Sequence, residues 1–264
     1  MSKPTLLFVY DHKKPEYWMD GLWAALNLLE SDFNLIKYNL GIVPEDASMP
    51  DFILGWGAFG SRVDQWLQKR KQKKGLCIAG NAFPPTGADD YNVLFYETKW
   101  YRPQINFHQN IVQAFGINSD IFFKPDMALP IVWDYIGVGA FAEWKRWGMM
   151  GEKKGTKLVI GEVQQENNAE SMRIINNLIS KGVMVSDMVH PFDLAHYYQY
   201  SRTLYMPSNI YGGGERAVLE ARACGLNVEI EEDNPKLKEL IELEQIPTHH
   251  DYAEKLKKGI LSVL

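Results

Sequence analysis

Three glycines, Gly212, Gly213 and Gly214, stand between the pair Pro207-Ser208 and the run Glu215-Arg216-Ala217-Val218-Leu219-Glu220. Glycine lets a backbone approach a ligand closely. A helix that begins directly after it offers free N–H groups and the positive end of its dipole to a phosphate. Glu220 falls about one and a half turns into such a helix, where a carboxylate can accept hydrogen bonds from both hydroxyls of a ribose. The same residues also describe a flexible turn ahead of an ordinary amphipathic helix. A second glycine pattern, Gly55-x-Gly57-x-x-Gly60, follows a strand-like run and precedes a helical one, the local setting of a dinucleotide-binding loop. The acidic residue that such a loop needs about 20 positions on is missing, since the region holds Lys73 and Lys74. That pattern also follows a later strand, not the first.

These residues need elements to position them, and the sequence alternates short apolar runs with helical spacing. Strands are expected at Leu6–Tyr10, Leu35–Tyr38, Phe52–Leu54, Leu76–Ala79 and Val93–Tyr96, with helices over Tyr17–Glu30, Ser61–Gln72 and Asn106–Phe115. Ser61 is the expected N-cap of its helix. Gly116, Pro125 and Pro130 punctuate a linker. Beyond it, strands are expected at Tyr135–Val138, Lys157–Ile160, Val183–Val185, Leu204–Met206 and Val228–Ile230. Helices are expected at Asn168–Ser180, with Met172, Ile175 and Ile179 on one face, and at Phe192–Tyr200, Gly214–Cys224, Pro235–Leu243 and Tyr252–Val263. Such alternation gives parallel sheets with helices on both faces, here two Rossmann-like domains over residues 1–125 and 126–264.

The 264 residues suit two small domains, and a 46% hydrophobic and 12% aromatic content is that of a packed chain. A formal charge of -5 excludes a uniformly basic nucleic-acid binder and leaves room for a local basic patch. Cys77 and Cys224 lie far apart without metal-like spacing and read as reduced thiols of a cytoplasmic protein, in a bacterial or phage-infected cell. The opening Met-Ser-Lys-Pro carries no leader pattern, and no apolar run approaches the roughly 18 residues of a membrane span.

The segment Met206–Gly225 closely resembles the donor-binding signature of glycosyltransferase family 4: a Pro-Ser strand end, a Gly-rich turn, then a Leu-Glu-Ala-x-Ala-x-Gly helix. The likeness extends to Asp193–Ser201, Thr203–Ser208, Lys157–Gly161 and Asn118-Ser119-Asp120, and is weak in the N-terminal half. It implies a compact α/β GT-B fold, two Rossmann-like domains facing each other. It further implies an N-terminal acceptor domain, a C-terminal donor domain, and retention of anomeric configuration. It assigns Glu220 to the nucleotide ribose and Gly212, Gly213, Gly214, Glu215, Arg216 and Gly139 to the donor's surroundings. Two departures stand out. Gly212 replaces the glutamate that the family has eight positions before the ribose carboxylate, with Glu215 close by. Ala140 replaces its arginine, five positions before Lys145, with Arg146 as a compensating candidate.

Breaking a sugar–diphosphate bond requires stabilising the departing negative charge. No Asp-x-Asp pair is present, Asp89-Asp90 being adjacent in a Pro/Gly loop, so no metal and no cofactor are expected. Lys145, Arg146 and the glycine turn are the expected substitutes, the alternative for the two cations being a solvated loop pair. His108 and then Asp11 are the first candidates for relaying the acceptor's proton. His12, Glu97 and Trp100 are further acceptor-side candidates. The donor is expected to be a UDP-linked sugar, and the acceptor a saccharide, a small molecule or DNA. The DNA reading draws on Lys69-Arg70-Lys71-Gln72-Lys73-Lys74, with Trp66 and Trp100-Tyr101-Arg102 as stacking surfaces. The plainer role of that run is to cap a helix C-terminus. The competing functions are a nicotinamide-dependent oxidoreductase and a non-catalytic nucleotide-sugar-binding module. Oligomeric state is left open.

Overall fold

The computed structural model describes residues 3–40, 50–80 and 87–264, so Met1 and Ser2 of the opening segment lie outside it. The chain divides into two units, Met1–Asn118 with Pro247–Leu264, and Ser119–Ile246.

The first unit holds β1 (Thr5–Tyr10), α1 (Pro15–Trp18), α2 (Asp20–Leu29), β2 (Asn34–Asn39), β3 (Phe52–Gly57), α3 (Arg62–Gln68), β4 (Lys74–Ile78), β5 (Val93–Tyr96), α4 (Arg102–Ile105) and β6 (Ile111–Gln113). Its strands form one parallel sheet in the order β2-β1-β3-β4-β5-β6. Leu6, Leu7, Phe8 and Val9 are all buried, because a parallel strand is covered on both faces. Ser61 caps α3 as expected, its hydroxyl accepting the Asp64 N–H at 3.3 Å.

The expected helix over Asn106–Phe115 is not there. Ile111–Gln113 instead pairs with β5 as a sixth strand, and the short helix comes earlier, at Arg102–Ile105. Ile111 and Val112 are β-branched and pack well on a pleated surface, which outweighs the four-residue spacing of Ile111 and Phe115.

The second unit holds β7 (Trp133–Val138), β8 (Lys157–Gly161), α5 (Asn168–Ser180), β9 (Met184–Asp187), α6 (Pro191–Gln199), β10 (Ser201–Met206), α7 (Glu215–Ala223), β11 (Asn227–Ile230) and α8 (Pro235–Glu242). Its parallel sheet runs β11-β10-β7-β8-β9. The apolar face expected of α5 lies outward: Met172 is 43% and Ile179 56% exposed, while Ser171 and Leu178 are buried. The Ser171 hydroxyl donates to the Phe141 carbonyl at 2.8 Å and accepts the Gln164 N–H at 3.2 Å, and this turns Leu178, two turns on, into the core.

A last helix, α9 (His249–Leu261), belongs to the first unit and not to the second, as a boundary at 125/126 would have had it. A capping box between Thr248 and Asp251 starts it. Tyr252, Leu256 and Ile260 are buried, and a Cβ at Gly259 would come within 2.6 Å of the Phe95 ring, so the helix lies flush over β5. Cys77 and Cys224 are buried and unbridged, and burial pushes the Cys224 thiol up to about 12. Among the described residues no helix is long and apolar enough to cross a membrane.

Candidate functional site

In the second sheet the chain leaves β7 toward β8 but leaves β10 toward β11, on the opposite side. Neighbouring strands whose connections diverge open a crevice at their carboxyl ends, where open α/β sheets bind ligands. Two loops meet there, Gly139–Arg146 after β7 and Pro207–Gly214 after β10.

Glycines shape both loops. Gly139 has φ 146°, and a Cβ there would lie 2.9 Å from Lys145 Cε, so only glycine lets the lysine fold back over the strand end. Gly213 and Gly214 have φ of 56° and 120°, and a Cβ on Gly214 would press on Met206 at 2.9 Å. At Gly212 the reason is space: a Cβ would sit 2.7 Å from the Trp144 carbonyl and 2.8 Å from Ser208 Cβ. The departure from a glutamate at this position is therefore built into the backbone packing.

Around this turn lies a cluster of buried charge. Lys145 ends a 3-10 turn, Glu143–Lys145, and is 6% exposed. Burial pushes its ammonium down to about 8; Glu215 opposes that shift, and Lys236 and Arg216 reinforce it. Glu215, first residue of α7, pairs with the fully buried Lys236 at 2.8 Å. Glu220 is 1% exposed; its Oε1 is 2.9 Å from Arg216 Nε, and its Oε2 accepts from the Tyr198 hydroxyl at 3.4 Å. Among the described residues, three cations, Lys145, Arg216 and Lys236, gather here with two carboxylates, Glu215 and Glu220, one positive charge in excess within this group. α7 adds to it. Its N-cap, Gly214, supplies no side-chain acceptor, and the N–H groups of a first helical turn have no intrahelical partner. Chemically, such an arrangement can receive an anion.

Arg146 lies elsewhere than expected of a leaving-group ligand. It is the one non-glycine residue with positive φ, at 52°, among those described. Its guanidinium binds both Asp233 oxygens at 2.7–2.8 Å, and its Nε donates to the Pro207 carbonyl at 2.5 Å. It fastens one loop to the other. Ala140 is buried, and its carbonyl accepts from the Trp147 indole at 2.9 Å.

The acceptor-side candidates divide by sheet edge. Asp11, His12 and Glu97 follow β1 and β5 at the carboxyl edge of the first sheet. Asp11 pairs with Arg62 at 3.0 Å. The His12 ring stands edge-on to Trp56, 5.1 Å between centroids, and burial lowers its pKa against the opposing pull of Asp11. Trp100 packs on Tyr101 and the core nearby. His108 sits at the other edge, ahead of β6, and both its ring nitrogens are engaged: Nε2 with the Tyr91 carbonyl at 2.8 Å, and Nδ1 with the Asn110 N–H at 3.1 Å. Both nitrogens are thus spent on backbone groups of its own unit.

The Gly55–Gly60 pattern forms no dinucleotide loop. Gly55 and Gly57 lie inside β3, where a Cβ would strike Leu67 and Ser61 respectively. The Gly60 N–H, where a phosphate would dock, donates to the buried Asp64 carboxylate at 2.6 Å. Part of the basic run is also occupied, while Lys69 and Lys71 are exposed. Lys74 Nζ donates to the Leu67 and Arg70 carbonyls at 3.1 and 2.9 Å, capping α3, and Arg70 stacks on Trp66 at 4.0 Å.

Sequence reading missed Lys236. Its signal was a lysine in the first turn of an expected helix, directly after Asn234-Pro235, where the helix dipole disfavours a cation.

No family model matches the sequence, and no curated protein does. Solved structures do. AviGT4, a glycosyltransferase involved in avilamycin A biosynthesis, matches with a TM-score of 0.66 at 9% identity, over 98% of each chain. Sucrose-phosphate synthase from Thermosynechococcus elongatus matches at 0.65 and 12%, over 98% of this chain and 90% of that one. Anabaena HepE, in complex with UDP and glucose, matches at 0.63 and 10%, over 97% and 90%. The likeness establishes the fold: two Rossmann-like α/β domains of the GT-B kind.

Proposed function

We propose that this chain is a glycosyltransferase that moves a sugar from a nucleotide donor, UDP-linked, to an acceptor hydroxyl, in the cytoplasm. The carrying observation is the net-positive buried cluster of Lys145, Arg216, Lys236, Glu215 and Glu220 around the glycine turn, at the switch point of the second sheet. HepE holds UDP and glucose on the same fold, which supports the choice of donor. Gly212–Gly214 and the start of α7 take the diphosphate, Glu220 the ribose, and Gly139 gives room for Lys145 beside them. As the sugar–oxygen bond breaks, Lys145 meets the charge that develops on the leaving diphosphate. Losing one such group typically costs about 2.7–4 kcal/mol of transition-state stabilisation. This chemistry asks for no metal, and anomeric retention follows from the family resemblance.

At the acceptor, His12 takes the role first assigned to His108. Burial favours its neutral form, which can accept a proton. The acceptor is a saccharide or small molecule. The run that favoured DNA caps α3 at the amino edge of its sheet, away from His12. The test is transfer from a panel of sugar nucleotides to saccharide and DNA acceptors. Binding of UDP without transfer or donor hydrolysis would leave a binding module, and absence of UDP binding would overturn the reading altogether.

A further inference from the structure

The glycine turn is shaped from outside its own loop, by the segment that leads from β11 into α8. Asn234 is fully buried there. Its Nδ2 donates to two successive carbonyls at the exit of β10, Ser208 at 3.0 Å and Asn209 at 2.9 Å. Its Oδ1 accepts the Leu237 N–H at 3.4 Å and so caps α8. The preceding residue, Asp233, grips Arg146, whose Nε holds the carbonyl one step earlier, on Pro207. Three carbonyls in a row, 207 to 209, are thus fastened by side chains remote in sequence. Asn209 in turn accepts the Gly212 N–H on its carbonyl at 2.8 Å and the Tyr211 N–H on its side chain at 2.9 Å. The orientation of Asn209 therefore sets the path of Gly212–Gly214.

We infer that Asn234 is a positioning residue of the donor site: its amide holds the glycine turn in the shape that receives a nucleoside diphosphate. The inference rests on the donor reading of this turn. Three glycines in succession carry little conformational preference of their own, and an unfastened turn would have to be ordered each time a ligand bound. Asparagine suits the place because one planar amide supplies two donors to the turn and one acceptor to the helix. Arg146 works in parallel, and its left-handed backbone is a strain that the bidentate hold on Asp233 offsets.

The test separates the two jobs of the amide. Asn234→Ser keeps a hydroxyl acceptor for the α8 cap and deletes both donors to the turn. Asn234→Asp keeps volume and cap and turns a carboxylate on the two carbonyls. Both variants are expected to lose some unfolding temperature, Asp more than Ser because its buried carboxylate faces two carbonyls, to remain folded, to exchange amide hydrogens of residues 209–214 faster, and to bind UDP at least tenfold more weakly. Serine should be the milder of the two. A purely structural asparagine would lower the unfolding temperature without a selective loss of UDP. UDP affinity within twofold of the parent's, in a folded variant, overturns the inference. If the parent itself binds no UDP, the donor reading falls. The positioning role is then judged by exchange alone, and unchanged exchange at 209–214 overturns it.

Discussion

Replacing Lys145 by methionine should make the free protein more stable and the UDP complex weaker. The ammonium is 6% exposed, and burial has moved it from 10.5 to about 8. At neutral pH it is still charged, so folding bears the cost of holding that charge out of water. At about 1.36 kcal/mol per unit, the shift corresponds to about 3 kcal/mol. Methionine removes that cost while keeping the apolar stem, so Lys145→Met should raise the unfolding temperature of the free protein by several degrees. The pH dependence has a definite sign. Between about 8 and 10.5 the unfolded chain still binds the proton that the folded chain has lost, so the parent's stability should rise through this window, and the variant's contribution should vanish. A bound diphosphate favours the charged lysine. UDP affinity should therefore fall about tenfold from pH 7 to pH 9 in the parent, and binding above pH 8 should take up a proton, measurable by calorimetry in buffers of different ionisation enthalpy. Lys145→Met should bind UDP weakly at every pH. A variant that unfolds earlier than the parent, or that keeps the parent's UDP affinity at pH 7, refutes the reasoning.

Glu220→Gln keeps the volume beside Arg216 and removes the charge. Hydrogen bonds to a charged group contribute about 1.5–3 kcal/mol, so UDP affinity should drop about 10- to 100-fold, and an unchanged affinity would remove Glu220 from the ribose site. Sugar transfer should persist in excess chelator; complete loss restored by added metal would mean that a cation shares the work. NAD and NADP should leave the unfolding temperature unchanged, because Asp64 already occupies the Gly60 N–H, and a clear rise with either would revive the dinucleotide reading. Neutralising Lys69 and Lys71 should change neither stability nor the salt slope of any DNA binding, whereas a DNA contact would flatten that slope by about 0.9 per phosphate lost.

Much of this was legible in the sequence, for physical reasons that vary from place to place. The strands of both sheets, β6 excepted, announced themselves as short apolar runs, and α7 by the wording of Met206–Gly225, because local backbone demands write themselves in local residues. The glycines at 213 and 214 are there for their φ angles, and that too is a local property. What stayed hidden depends on distance along the chain. Lys236 and Asn234 serve the turn from more than 20 residues away, and nothing in their neighbours says so. His108 looked chemical as an isolated histidine, and only the positions of Tyr91 and Asn110 disclose that both nitrogens are spent. Met172, Ile175 and Ile179 kept helical spacing, yet Met172 and Ile179 face outward and Ile175 is only half-buried, since Ser171, bonded to the Phe141 carbonyl, fixes the rotation of α5.

The two sheets pose the same electrostatic question and answer it differently. Each has one place where neighbouring connections diverge, between β1 and β3 in the first and between β7 and β10 in the second. Each sends a glycine-bearing loop from the carboxyl end of a strand into a helix. In the first, Asp11 meets Arg62, and the N–H of Gly60 is already taken by the Asp64 carboxylate, so the named groups carry no excess positive charge. An added phosphate there would compete with carboxylates already in place. In the second, α7 has a glycine for its N-cap, the turn ahead of it is fastened by its carbonyls, and a buried cation is left over from the pairing of Lys236 with Glu215 and Arg216 with Glu220. A buried unbalanced charge destabilises the free protein, and the cost is recovered only when an anion arrives. Under the proposed function, that asymmetry is the reason to look for the phosphorylated substrate at the second sheet's crevice and for an uncharged partner at the first.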